Sequence, residues 1–393
     1  MRFGILPGNV NLGSPVWIHA VSVGEAMAVK NLAKELKNTF PGKKLFITTV
    51  TATGNKIARS IAQDGDYVAY FPLDFSFIVR RVVDKIRPSL FIITETEIWP
   101  NLISCLYQRN TPIVLVNGRL SDRSFKGYLA IKFFIKPVLD KINLFCVQTE
   151  NDARRFFRLG VSQDKIKVTG NMKFDSADYS DKKISASGDK YKNLLGLNPQ
   201  EKLWVCGSTH PGEEEIIIDA YKELLGEFPR LKLLIAPRHP DRAQKLGKIV
   251  SASGFRAAFI SALQDKSCNC ISKCVYILDV IGELINFYDI ADIVFVGGSL
   301  VRKGGQNILE PASLGKPVVT GPYMFNFRDI SGLFLENKAC IFCHNTEELA
   351  GQIKDLLKNP DKSAQLSERA KRIILENQGA TARNLEYIKN YLS

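Results

Sequence analysis

Short apolar runs alternate with amphipathic segments along nearly the whole chain. Val16–Ala20 is the first run of strand length, followed by Gly24-Glu25 and by helical periodicity from about Ala26 to Asn38. Lys44–Thr49 is a second strand, and Thr51-Ala52-Thr53-Gly54 opens a second helix. Tyr67–Tyr70, Leu90–Thr94, Ile113–Asn117 and Leu144–Gln148 continue the series, each leading into a polar turn and a helical stretch. Such alternation predicts a parallel sheet covered by helices on both faces.

A polar stretch from Asp175 to about Lys202 interrupts the pattern and reads as a linker with one helix near Lys190–Leu195. The alternation then restarts. Leu203–Gly207, Lys232–Pro237, Val275–Leu278, Ile293–Gly297, Pro317–Thr320 and Ala339–Phe342 read as strands, Pro211–Leu225 and Asp241–Ser253 as helices. Two successive α/β units predict two domains facing a cleft, 1–178 and 179–393, with a last helix able to pack back on the first. Ligands of open α/β sheets bind beyond the carboxyl ends of the strands, so strand-end residues are the first candidates for chemistry.

The length of 393 residues suits two domains. With 45% hydrophobic and 24% charged residues, the chain is neither disordered, collagen-like nor a disulfide miniprotein. It has no apolar run long enough to span a bilayer, and Met1-Arg2-Phe3-Gly4 lacks the layout of a signal peptide. The net charge of +13 is unevenly placed. Residues 1–175 hold 25 basic against 14 acidic side chains, and the remainder holds 28 against 26. A basic front half predicts an anionic partner: nucleic acid, a phosphorylated substrate or an acidic membrane surface. The alternative is a charge that serves solubility alone.

Of the eight cysteines, Cys146 and Cys206 lie in apolar runs and read as reduced core thiols of a cytoplasmic protein. Cys268-x-Cys270-x3-Cys274 is a candidate metal cluster, but it lacks a nearby histidine and the usual spacing. Cys340-Ile341-Phe342-Cys343-His344 matches a haem-attachment pattern, yet sits in an apparent buried strand.

At the strand ends, Glu25 follows Gly24 at the start of a helix, either as an N-terminal carboxylate favoured by the macrodipole or as a general base. Glu95 and Glu97 end an apolar strand before Trp99-Pro100; on an extended chain both would point to one side. Arg119 and Arg123 follow the next strand. The aromatics and lysines from Phe125 to Lys136 suit an acidic bilayer surface or a core-packed helix with solvated lysines. Further on, Ser208-Thr209-His210-Pro211-Gly212-Glu213-Glu214 offers hydroxyls and backbone N–H groups to an anion, and Arg238-His239 adds a cation and an imidazole. Gly297-Gly298-Ser299 begins a glycine-rich loop that reaches Glu310, and glycines let a backbone approach a phosphate. Neither a P-loop nor a dinucleotide fingerprint is present.

Together, HAVSVGE (19–25), TETEIWPN (94–101), NGRLSDRS (117–124), GNMKFD (170–175), GSTHPGEE (207–214), PRHP (237–240), IGEL (281–284) and GGSLVRKGGQNILEPA (297–312) resemble the Kdo transferases of lipopolysaccharide assembly. The resemblance implies an α/β, GT-B glycosyltransferase with two Rossmann-like domains, an N-terminal one for the lipid A precursor acceptor and a C-terminal one for the donor CMP-Kdo. It implies an inverting reaction with no cofactor and no metal. It implies Glu25 as general base, with Glu95 and Lys173 stabilising the transition state. Arg238, His239, Ile281, Gly282, Glu283, Asn307, Ile308, Leu309 and Glu310 would contact CMP, Glu310 through ribose; Ser208 and Thr209 are further phosphate candidates. Members of the family usually begin with a hydrophobic anchor, whereas Met1 here lies close to the first strand; either the sequence is truncated or the protein docks through its basic surface alone. The expected location is the cytoplasmic face of the bacterial inner membrane, reached through the basic domain. The competing readings are a GT-B enzyme for another nucleotide sugar and a basic nucleic-acid-binding module. The latter leaves the strand-end carboxylates unexplained, so no nucleic acid is expected.

Overall fold

A computed structural model describes residues 2–6, 12–177, 188–265 and 273–392. The chain forms two compact units, one of residues 1–176 with 377–393 and one of residues 177–376. The division falls just before the expected boundary at 178, and residues 377–393 belong to the first unit rather than to the second. The reason is apolar: Ala380, Leu385 and Ile388 of the C-terminal helix Ala380–Lys389 join Met172, Ala26 and Val29 in one buried cluster.

The first unit is a seven-stranded parallel sheet of β1 (Val16–His19), β2 (Leu45–Thr49), β3 (Tyr67–Tyr70), β4 (Leu90–Thr94), β5 (Ile113–Gly118), β6 (Leu144–Val147) and β7 (Ile166–Val168). Its spatial order is β3-β2-β1-β4-β5-β6-β7, so the winding reverses between β1 and β4. Those two strands pair in parallel from Val16 with Leu90 to His19 with Ile93. Every residue of β1, β2, β4, β5 and β6 is buried. Trp17, Phe46, Phe91 and Phe145 pack on one face, and Ile18, Ile47, Ile92 and Val114 pack on the other. Strands covered on both sides read as continuous apolar runs, which is why they were visible in the sequence.

Caps set several helix starts. Ser22, Thr51, Ser121 and Thr149 each accept a backbone N–H three residues on. The Glu25 N–H donates to the Ser22 hydroxyl, and its carboxylate reaches back to accept from that hydroxyl and from the Val21 N–H, a variant of the capping box. The helix expected over Ala26–Asn38 therefore starts earlier, as Val23–Ala28, and breaks at Val29 before Lys30–Thr39.

The second unit holds β8 (Lys202–Thr209), β9 (Leu231–Pro237), β10 (Arg256–Phe259), β11 (Cys274–Ile277), β12 (Ile293–Val296), β13 (Val318–Thr320) and β14 (Ile341–Phe342). The order β10-β11-β9-β8-β12-β13-β14 reverses between β8 and β12. The edge strands β7 and β10 were not foreseen: both are short and partly exposed, without an unbroken apolar run. The linker reading covers residues 178–187, outside the described residues; the helix within it is Gly188–Leu195. Among the described residues no helix is long and apolar enough to cross a membrane.

Cys105, Cys146, Cys206, Cys340 and Cys343 are free and buried. Burial pushes the Cys343 thiol up to about 12, and the adjacent His344 is exposed and paired with Glu348, so the haem-attachment pattern is a packed sheet edge. Cys274 is disulfide-bonded and offers no thiolate to a metal; Cys268 and Cys270 lie outside the described residues.

Candidate active site

In the first unit, the ends of β1 and β4 meet at the point where the sheet reverses, the usual crevice of such a sheet. Glu25 stands on the helix after β1. The Val21 N–H donates to its Oε2 (2.8 Å) and the Ser22 hydroxyl to its Oε1 (2.9 Å). It is buried, and burial followed by the charges of Glu95 and Glu97 raises its pKa to about 7, against the pull of those two hydrogen bonds.

Glu95 follows β4. Burial opposes its ionisation, but Lys173 and Arg119 outweigh that and hold it below the usual carboxylate range. Lys173 Nζ lies 2.9 Å from Oε1, and Arg119 Nε lies 3.0 Å from Oε2. The chain is not extended here. Strand β4 stops at Thr94 and Glu95 is left-handed at φ +58°, so the alternation argument for Glu95 and Glu97 does not apply. They are nonetheless close enough for Glu95, after burial, to raise the pKa of Glu97. Asn117 at the end of β5 is also left-handed, and its Oδ1 accepts the Met172 N–H at 2.9 Å. Non-glycine residues at positive φ are costly and tend to survive where the surroundings demand them. Glu25, Glu95 and Lys173 thus converge. Arg119 was visible as a strand-end cation, but nothing in the sequence marked it as the partner of Glu95.

In the second unit the corresponding reversal lies between β8 and β12. Gly297 there is pressed against β8: its N–H donates to the Gly207 carbonyl at 2.8 Å, and a Cβ would lie 2.7 Å from the Thr209 backbone. The glycine-rich loop does not offer its first N–H groups to an outside anion. Gly298, Ser299 and Leu300 all donate to the fully buried carboxylate of Glu213 at 2.7–2.8 Å, and the His210 N–H does so at 2.9 Å. Residues 210–214 likewise serve the chain itself. Glu214 takes both Arg242 nitrogens (2.8 and 2.9 Å) and the Thr209 hydroxyl (3.1 Å), and Thr209 is fully buried. Glu213, Glu214 and Arg242 were missed as site builders because their partners lie up to 87 residues away.

Arg238 and His239 are exposed after β9, with the His239 ring 6.2 Å from that of His210. His210 Nε2 lies 3.4 Å from Gln306 Nε2. Ser208 is left-handed at φ +56°. Asn307 donates to Glu310 Oε1 (3.1 Å) and accepts the Leu309 N–H (3.1 Å). Ile308 and Leu309 are fully buried, so only their main chain can meet a ligand. Ile281 is exposed, Gly282 has φ +89°, and Glu283 accepts from Gln264 Nε2 at 3.2 Å. Among the described residues no group of three or more His, Cys, Asp or Glu side chains has metal-holding geometry.

Comparison with known proteins follows this division. Residues 1–176 match the family described as 3-Deoxy-D-manno-octulosonic-acid transferase (kdotransferase), and residues 261–373 match glycosyl transferases group 1. The 3-deoxy-D-manno-octulosonic acid transferase of Haemophilus influenzae is 35% identical over 395 residues, covering all of this chain and 90% of its own. The enzyme of the same name from Chlamydophila psittaci is 31% identical over 395 residues, covering all of this chain and 89% of its own. A solved glycosyltransferase structure from Rickettsia africae superposes with a TM-score of 0.60 at 16% identity, covering 96% of this chain and 99% of its own. Two Rossmann-like units of parallel sheet and this likeness give the GT-B fold. The chain belongs to the family of 3-deoxy-D-manno-octulosonic acid transferases.

Proposed function

We propose that the protein moves Kdo from CMP-Kdo to a hydroxyl of a lipid A precursor, inverting the anomeric centre and using no metal. The observation that carries this reading is the pair Glu25 and Glu95 at the reversal of the first sheet, one held near neutrality and the other held ionised. Glu25 takes the proton of the acceptor hydroxyl as its oxygen bonds to the anomeric carbon. The bond from that carbon to the CMP phosphate breaks, and CMP leaves with the electron pair. A base that ionises near the working pH serves such a step best. Lys173, fixed on Glu95, supplies positive charge close to the base.

The second unit is the donor-binding part in this reading. Arg238 and His239 meet the phosphate, Glu310 with Asn307 meets ribose, and the main chain of Ile308–Leu309 and the 281–283 turn complete the CMP contacts. Ser208 is the remaining phosphate candidate, since the Thr209 hydroxyl is occupied by Glu214. The basic first unit faces an anionic bilayer and its phosphorylated acceptor at the cytoplasmic side of the inner membrane.

The test is CMP release from CMP-Kdo with a lipid A precursor in detergent, comparing wild type with Glu25→Ala. Acceptor-dependent release should fall by at least ~100-fold in the variant while CMP binding stays intact. Wild-type protein that binds no CMP would sink the donor assignment.

A further inference from the structure

The segment Thr169–Ser176 carries Lys173 and is held from two sides. On one side the Ser176 hydroxyl donates to the Met27 carbonyl of the Glu25 helix (3.0 Å), and Asn31 Nδ2 donates to the Asp175 carbonyl (2.8 Å). On the other side stands the C-terminal helix Ala380–Lys389, more than 200 residues further along the chain. Arg383 Nε donates to the Thr169 carbonyl (2.8 Å), and Asn384 Nδ2 donates to the Thr169 hydroxyl (3.0 Å). Gly170 has φ +89°, a conformation that favours glycine, and a Cβ there would lie 2.9 Å from the Arg383 guanidinium and displace its tip.

The start of the C-terminal helix lacks a cap of its own, because its N-cap is Gly379. Asp175 supplies one. Its Oδ1 accepts the Gly379 N–H at 2.7 Å, and its Oδ2 accepts the Thr381 N–H. A carboxylate at a helix N-terminus gains from the orphan donors and from the macrodipole together. The two places where the chain passes between its compact units, after Ser176 and after Glu376, both lie within a few residues of this joint.

We propose that Asp175 is a positioning residue for Lys173: by capping the C-terminal helix it fixes the 169–176 segment, and with it the ammonium on Glu95 beside Glu25. The inference rests on Glu25 as the base. Glu25 faces Glu95, Glu97, the Val21 N–H and the Ser22 hydroxyl, and Glu95 faces Lys173 and Arg119. When the cap is lost, Lys173 compensates Glu95 less well, and Glu95 then opposes ionisation of Glu25 more strongly.

The experiment compares wild type, Asp175→Ala, Asp175→Asn and Arg383→Ala, with Glu386→Ala, exposed on the same helix, as control. Two readouts are taken: the pH profile of Kdo transfer, and the titration of the Glu25 carboxyl by 13C NMR, assigned with Glu25→Gln. In Asp175→Ala, kcat should fall by roughly 10–100-fold with the KM for CMP-Kdo little changed. The acid limb and the Glu25 titration should both move to higher pH. Asp175→Asn loses the same charge but keeps one acceptor, and should lie between. Arg383→Ala should move in the same direction, and it decides the matter if Asp175→Ala does not fold. A folded Asp175→Ala protein with the wild-type titration overturns the proposal. The NMR readout needs no turnover, so a wild type that transfers no Kdo would count against the proposed reaction and leave the test of the joint standing.

Discussion

Glu25 and Glu95 carry the same functional group at neighbouring strand ends, yet the fold pushes them in opposite directions. Burial raises Glu25 to about 7, with Glu95 adding to the rise. Glu95 is buried too, but two cations within 3.0 Å reverse the sign. Carboxylates driven apart in this way are the pattern an acid–base site requires, and they support the proposed role of Glu25. The coupling gives a prediction with a definite sign. Glu95→Gln removes a negative charge that disfavours ionised Glu25, and it frees two cations that favour it. The acid limb of Kdo transfer should therefore move downward from about 7, even though the maximal rate falls by on the order of 100-fold as the cations lose their anchor. A limb that stayed in place or rose would mean that Glu95 does not set the acidity of Glu25.

At the scale of elements, what the strands announced and what their ends do are separate matters. The central strands were legible because they are buried on both faces and read as unbroken apolar runs. Edge strands Ile166–Val168 and Arg256–Phe259 were not, because one exposed side breaks the run. Strand ends were legible as places for Glu25 and Glu95, whereas the sequence put Lys173 only at the domain junction and the structure sets it on Glu95. Their geometry was not legible, since Glu95 turns left-handed and its carboxylate meets partners 24 and 78 residues away. The glycine-rich loop shows the same limit. Its glycines suggested a phosphate cradle, but the N–H groups of 298–300 converge on Glu213, whose role no local pattern reveals. Glu213→Gln tests that role. An amide would turn a donor toward N–H groups inside the core, costing about 2–3 kcal/mol. The thermal transition of the second unit should drop by about 5–10 °C. CMP affinity measured by calorimetry should weaken about tenfold as the loop loses its anchor. Unchanged affinity in a destabilised variant would confine Glu213 to stability.

At the scale of the whole molecule, charge and exposed apolar surface point to the same unit. The excess of basic over acidic side chains lies almost entirely in residues 1–175. In that unit the helices Asp122–Ala130 and Lys132–Leu139 bury part of their apolar side chains and expose the rest. Phe125, Ile135, Val138 and Leu139 are packed inside, while Phe133 and Phe134 are 85% and 74% exposed and touch edge to face at 5.5 Å. Leu129 and Ile131 are exposed beside them, and Arg123, Lys126 and Lys136 stand on the same two helices. Apolar tips flanked by cations suit the headgroup boundary of an acidic bilayer. The two contributions respond differently to salt. Each lysine or arginine near an anionic surface adds about 1 kcal/mol that fades as the Debye length shortens. Each inserted phenylalanine adds up to about 1.5–3 kcal/mol that salt does not screen. Sedimentation with acidic vesicles should therefore show binding that falls with rising salt toward a residual level. Phe133→Ser with Phe134→Ser should remove the residual and weaken low-salt binding at least ~10-fold, while CMP binding stays unchanged. Vesicle binding that the double substitution leaves intact at every salt concentration would exclude Phe133 and Phe134 as the vesicle-binding surface. Binding that vanished with salt in the wild type would leave electrostatics alone to hold the protein to the vesicles.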